Sequence, residues 1–126
     1  MAEVQARLQA LSEEYQKLQQ ELQETVVSRQ KLQSQQQENA GVFKEFEKLG
    51  DGEVIYKLVG PVLLKQDKVE AESTVKGRLD FIAGEVTRLE GQIKETQEKL
   101  GKKRTEIVQI QASAQAAVAG KAQQAA

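Results

Sequence analysis

The sequence contains no cysteine, no histidine and no tryptophan, and only one proline among its 126 residues. Without cysteine and histidine the chain cannot form disulfides, Cys/His zinc sites or most nucleophile–base pairs. Three Phe and two Tyr are too few to line a generous substrate pocket. We therefore expect no enzymatic activity, no catalytic residue, no metal site and no cofactor. The absence of cysteine fits a reducing compartment without proving it.

The charge balance is close to neutral, with 18 basic and 19 acidic residues and a formal net charge of -1. This balance argues against nucleic acid or an anionic membrane as a partner. No stretch approaches the ~18 apolar residues of a membrane span, and the first residues lack an apolar run of signal-peptide length. The length favours one domain.

A heptad pattern begins at Val4 and predicts a first helix over about residues 2–49. Three polar residues interrupt its apolar seam, and they either fix the register or mark a loose seam whose side chains reach solvent. The interruptions are Arg29, Gln36 and Asn39. The seam itself consists of Leu8, Leu11, Tyr15, Leu18, Leu22, Thr25, Leu32, Phe43 and Phe46.

A second and more regular heptad predicts a helix over about residues 68–115. It continues weakly into Ala114 and Ala117, and we expect residues 116–126 to form a frayed helical end or a flexible tail. Glycines recur every seven residues on the polar face, which indicates either a bendable helix or tolerated drift on a solvated surface. These glycines are Gly77, Gly84 and Gly91.

The segment between the helices changes composition abruptly and predicts a β-hairpin over about residues 53–66. We expect Gly50, Asp51 and Gly52 to end the first helix, with glycine as a left-handed cap. Strands over 54–59 and 62–65 would meet at a Gly60-Pro61 turn. Asp67 is suited to the N-cap of the second helix.

The two heptads agree on one register. If paired positions sum to 118, Leu8 faces Ile110, Leu18 faces Leu100 and every a position faces a d position. This agreement predicts a long antiparallel two-helix coiled coil within one chain, with a parallel dimer as the alternative geometry.

The predicted hairpin has apolar residues on both faces and two open edges, which two thin helices cannot cover. Something outside the chain must therefore bury it. A homodimer through the hairpins would cover part of it. A β-barrel or sandwich closed from several chains is preferred, because closure alone removes every edge.

The run from Val54 to Gln66 is close to the YK-x-VG-x-x-L-(V/L)-K-Q signature of the prefoldin family, and with its flanking helices the chain resembles a β-type prefoldin subunit over about residues 1–115. The resemblance implies a mostly α fold whose single β-hairpin, placed between the helices, joins an inter-subunit β-barrel. It assigns the subunit interface to Val54, Ile55, Tyr56, Leu58, Val59, Val62, Leu63 and Leu64. It assigns the client-binding tip to Val4, Leu8, Leu11, Ile107 and Ile110.

The same resemblance implies a function. Other α- and β-type prefoldin subunits would complete a cytoplasmic hetero-hexamer that captures unfolded polypeptides such as actin and tubulin. It would pass them to the group II cytosolic chaperonin without using ATP. A structural coiled-coil adaptor that docks through its hairpin is the alternative. A coiled-coil factor of the RNA-polymerase channel is disfavoured, because the turn here is apolar and the charge nearly neutral.

Overall fold

The computed structural model describes residues 1–50 and 52–125, with the backbone alone for Ala125. Helix α1 spans Ala2–Lys48 and helix α2 spans Lys68–Ala125. Strands β1, Ile55–Val59, and β2, Val62–Gln66, lie between them and pair antiparallel. The mostly α fold with one hairpin between two long helices is confirmed.

The chain divides into two compact units, and each contains part of both helices. The terminal unit holds residues 1–27 and the residues from Gly91 onward, and the hairpin unit holds residues 28–90.

In the terminal unit the two helices pack antiparallel. Leu11 and Ile93 are each 7% exposed, because their heptad positions face the seam. The Lys103 ammonium donates to Glu14 Oε2 at 2.7 Å. The numbers of these two residues sum to 117, within one of the predicted 118, and the antiparallel packing inside one chain confirms the intramolecular geometry.

In the hairpin unit the core comes mainly from α2, whose heptad has no polar interruption there. Its buried side chains are Ala71, Val75, Ile82, Val86 and Leu89. The α1 positions in this unit are only half-buried, and the interrupting residues are among them. The Asn39 amide donates to the Gln35 carbonyl of its own helix at 2.8 Å. In the described structure Arg29 Nε is buried without a hydrogen-bond partner.

The first helix ends at Lys48, and Gly52 is the left-handed one of the two glycines that were predicted to end it. Gly52 has φ +91°, whereas Gly50 is not in the left-handed region. The Leu49 N–H instead closes the last turn on the Phe46 carbonyl at 3.2 Å. Lys68 Nζ donates to the Leu49 carbonyl at 3.1 Å, which satisfies a helix-end acceptor from the other side of the hairpin. Asp51 lies outside the described residues.

The first strand begins one residue later than predicted, at Ile55. In the observed register Val54 would lie opposite Asp67. The Asp67 carbonyl already accepts the N–H of Ala71 at 3.0 Å, so this residue starts the second helix and cannot extend the ladder. The second strand gains Gln66, which pairs with Ile55.

The predicted end of the second helix near residue 115 is wrong, because α2 continues to Ala125. The extension is rich in alanine and glutamine and contains no proline. Alanine is the strongest helix former, so these residues remain helical although few of them carry an apolar seam side chain.

Candidate functional site

The hairpin presents two faces, which its register defines. Lys57 lies opposite Leu64, and Leu58 lies opposite Leu63. Directly opposed residues of an antiparallel pair share a face, so the side chains separate cleanly into two sets. We name the first set the valine face: Ile55, Lys57, Val59, Val62, Leu64 and Gln66. We name the second set the tyrosine face: Tyr56, Leu58, Leu63 and Lys65.

The turn that joins the strands is built by its two central residues. Gly60 has φ +58°, a conformation that glycine adopts without a steric penalty. Pro61 has a negative φ and follows at the second central position. Glycine followed by a residue of negative φ is the pattern of a type II′ turn, whose twist matches that of the strands.

Both faces are apolar and largely uncovered. Leu58 is 68% exposed and Leu63 is 62% exposed on the tyrosine face, while Leu64 is 51% exposed on the valine face. Seven of the eight residues assigned to the subunit interface are exposed, and Ile55 is half-buried. The exposed ones are Val54, Tyr56, Leu58, Val59, Val62, Leu63 and Leu64. A contiguous exposed apolar patch of this kind marks an interaction surface.

A second candidate site lies in the terminal unit, where the start of α1 meets the later part of α2. A groove of about 620 Å³ runs between them. Its apolar lining includes Val4 and Ile110, together with Ala114, Ala117 and Val118. Glu3, Arg7, Glu106 and Lys121 also line it, so both signs of charge surround the apolar lining.

The groove forms where α2 extends beyond the first residue of α1. With the register set by Glu14 and Lys103, the first residue of α1 lies opposite about residue 115, and among residues 1–50 and 52–125 no helix packs beside the last turns of α2. Val118 is consequently 49% exposed. A further groove of about 360 Å³ lies on α2 alone, beside Val118 and Ala122.

The five predicted tip residues differ in how far they are exposed to solvent and in whether they line the groove. Val4 and Ile110 line the groove. Leu8 and Ile107 are half-buried, and Leu11 is buried in the seam. Val118 was not predicted as a site residue, because residues 116–126 were expected to form a frayed helical end or a flexible tail. The weak continuation of the heptad into Ala114 and Ala117 was the available signal.

The ion pairs whose pKa values are shifted lie on the helices, outside the hairpin strands and the residues that line the groove. The hydrogen bond to Glu14 raises the pKa of Lys103 above its ordinary value. The hydrogen bond and ion pair with Arg88 at 2.8 Å lower the pKa of Glu85, although its slight desolvation opposes this. Among residues 1–50 and 52–125, no three acidic side chains cluster as a metal site would require. No described helix is long and apolar enough to cross a membrane.

Comparison with known proteins gives consistent matches. The model of the family "Prefoldin subunit" matches residues 9–114. Prefoldin subunit 6 of Saccharomyces cerevisiae is 46% identical over 100 residues, which cover 79% of this chain and 88% of that protein. Prefoldin subunit 6 of Bos taurus is 42% identical over 123 residues, covering 97% of this chain and 95% of that protein. The crystal structure of the prefoldin beta subunit from Thermococcus strain KS-1 superposes with a TM-score of 0.75 at 32% identity, covering 80% of this chain and 89% of that one.

Proposed function

The chain belongs to the prefoldin family of chaperone subunits, and we propose that it captures unfolded polypeptides as a β-type subunit of a hetero-hexamer. Other α- and β-type prefoldin subunits complete the assembly. The observation that carries this proposal is the hairpin, which is apolar and exposed on both faces in a chain whose helices cannot cover it.

Assembly proceeds through the hairpin. Full burial of a leucine side chain is worth about 1.5–3 kcal/mol. The large exposed fractions of Leu58, Leu63 and their neighbours leave most of that free energy unused in the single chain. A barrel closed from several hairpins gains it and pairs the open strand edges at the same time.

Client capture takes place at the groove of the terminal unit. Its apolar lining is small and open, so one groove contributes a weak contact. Several subunits in one complex bind the same unfolded chain together, and avidity replaces a single tight site. Weak individual contacts also allow release without ATP. Val4 and Ile110 act directly on the client, while Leu8, Leu11 and Ile107 hold the helices together behind them.

The resemblance extends the proposal to the cellular pathway. Actin and tubulin are the proposed clients, the group II chaperonin is the proposed acceptor, and the cytoplasm is the proposed location. Neither nucleic acid nor membrane is a proposed partner, in keeping with the near-neutral charge.

The experiment reconstitutes the complex with its partner subunits and follows aggregation of a denatured client by light scattering. Leu58→Asp should prevent assembly, measured by native mass spectrometry, while helical content by circular dichroism stays unchanged. Val4→Asp combined with Val118→Asp should keep assembly and lose suppression of aggregation. Val108→Asp is the matched control, because this valine is 56% exposed on α2 and does not line the groove.

Two outcomes would contradict the proposal. An assembled complex that fails to suppress aggregation would favour the structural adaptor. Full suppression by the Val4→Asp/Val118→Asp variant would show that the client binds elsewhere.

A further inference from the structure

The hairpin carries two lysines and no carboxylate. Between Val54 and Gln66 the only charged residues are Lys57 and Lys65. Both side chains are exposed. They lie on opposite faces, Lys57 on the valine face and Lys65 on the tyrosine face, because their opposite residues are Leu64 and Tyr56.

Closing hairpins into a barrel turns one face inward. Whichever face this is, it takes one of the two lysines with it. An ammonium group removed from water is strongly unfavourable unless a carboxylate pairs with it. The proposed assembly therefore needs an acidic group that meets at least one of these side chains.

The chain does not supply that group. In the described part of the structure, no carboxylate oxygen lies within 4.0 Å of either Nζ. Glu53 and Asp67 flank the hairpin but stand outside its ladder. Glu72, on the first turns of α2, is the ion-pair partner of Lys68 at 3.8 Å. A ring of identical hairpins would bring in further lysines and no strand carboxylate.

We propose that Lys57 and Lys65 select the neighbouring subunit, by requiring a β-strand that presents Asp or Glu opposite them. The proposal rests on assembly through the hairpin, as set out above. The same lysines discourage pairing between identical copies, because like charges brought opposite each other repel and lysines at a strand edge oppose uncontrolled pairing. Two side chains thus favour an acidic neighbour and reject a second copy.

The test measures the affinity of the full chain for its partner subunits, with Lys57→Glu and Lys65→Glu made separately and together. Removing one member of a buried charge pair should weaken binding about a hundredfold or more for the lysine on the inward face. Lys57→Arg and Lys65→Arg should retain most of the affinity. Lys76→Glu is the control, because this lysine is exposed on α2 and has no ion pair in the described structure.

Neutral variants separate recognition of a partner carboxylate from mere repulsion between identical copies. Lys57→Met with Lys65→Met should also weaken binding to the partners, because a partner carboxylate is left unpaired. If this double variant binds its partners as well as the wild type and only self-associates more, the lysines do not recognise an acidic strand and the proposal is overturned.

The remaining outcomes are equally decisive. Unchanged affinity in the double Glu variant overturns the proposal, as does a wild-type chain that closes into stable oligomers alone at the concentrations used for mixed assembly. Failure of the wild type to join any partner would instead refute the proposed function. Circular dichroism on every variant verifies that the helices remain folded.

Discussion

Two adjacent residues of α2 offer a direct test of which contacts stabilise the chain. Ile82 is 6% exposed and faces the seam, whereas Phe81 is 68% exposed on the outer side of the same turn. Replacing each by alanine removes a large apolar side chain from the same stretch of helix. The gain in helix propensity is similar in both cases, so it cancels in the comparison. The difference in the free energy of unfolding therefore reports on burial.

The expected magnitude follows from the thinness of the core. An Ile→Ala change in a protein interior costs about 2–5 kcal/mol, part of which comes from the cavity that is left. Among the described residues no large side chain is less than 2% exposed, so solvent and neighbouring side chains can relax into the space. We expect about 2 kcal/mol for Ile82→Ala. For Phe81→Ala we expect a change within about 0.5 kcal/mol.

Thermal unfolding followed by circular dichroism provides the measurement. For a chain of this size about 2 kcal/mol corresponds to a decrease in Tm of about 6–10 °C. All variants are compared at one concentration, because association raises apparent stability. A loss for Phe81→Ala as large as that for Ile82→Ala would show that the exposed phenylalanine is covered, and a loss below about 0.5 kcal/mol for Ile82→Ala would refute the assignment of the seam.

Three further predictions concern the helices. Gly84→Ala should raise stability by about 0.5–1 kcal/mol, since an added Cβ meets nothing within 4 Å; an unchanged or lower Tm would favour a functional bend. Arg29→Leu should raise the free energy of unfolding by about 1 kcal/mol, because it removes a buried nitrogen that has no hydrogen-bond partner in the described structure. Urea unfolding measures this change, and a lower midpoint for the variant would assign the guanidinium a stabilising role. Glu85→Gln should flatten the dependence of Tm on acid pH. The pKa of Glu85 is lowered in the folded state, so its contribution is present above the unfolded value of about 4.3 and is lost as the pH falls through the folded value. A wild-type and variant Tm that fall in parallel from neutral pH to about pH 2 would contradict this.

The sequence was most informative where side-chain chemistry repeats. The heptads predicted both helices and their antiparallel register, because each apolar residue at a and d positions constrains the same seam. Gly60 and Pro61 predicted the hairpin turn, since their φ preferences leave few alternatives. The alternation along the strands predicted apolar residues on both faces of the hairpin, and the observed register places apolar residues on both.

The sequence was less informative where a residue's local preference is overridden by a residue that lies opposite it in the fold. Val54 has the propensity of a strand residue, but Asp67 opposite it is already committed to the second helix. A left-handed glycine was expected to cap the first helix, yet the Lys68 ammonium donates to the Leu49 carbonyl there from across the hairpin. The groove lined by Ala114 and Ala117 arises from small side chains and a helix overhang, and neither leaves an apolar signal as strong as a leucine heptad.

The distribution of apolar surface links stability to assembly. The seam buries side chains chiefly from α2, and Leu11 is the buried residue of α1. By contrast, seven large apolar side chains stand exposed within the short interval from Val54 to Leu64. Because hydrophobic stabilisation scales with the area removed from water, the hairpin holds a reserve of free energy that the single chain cannot use. The chain would gain this free energy only if hairpins of neighbouring subunits covered its own hairpin. The proposed assembly through the hairpin would release this free energy, and in it the terminal groove would be one of several linked client sites.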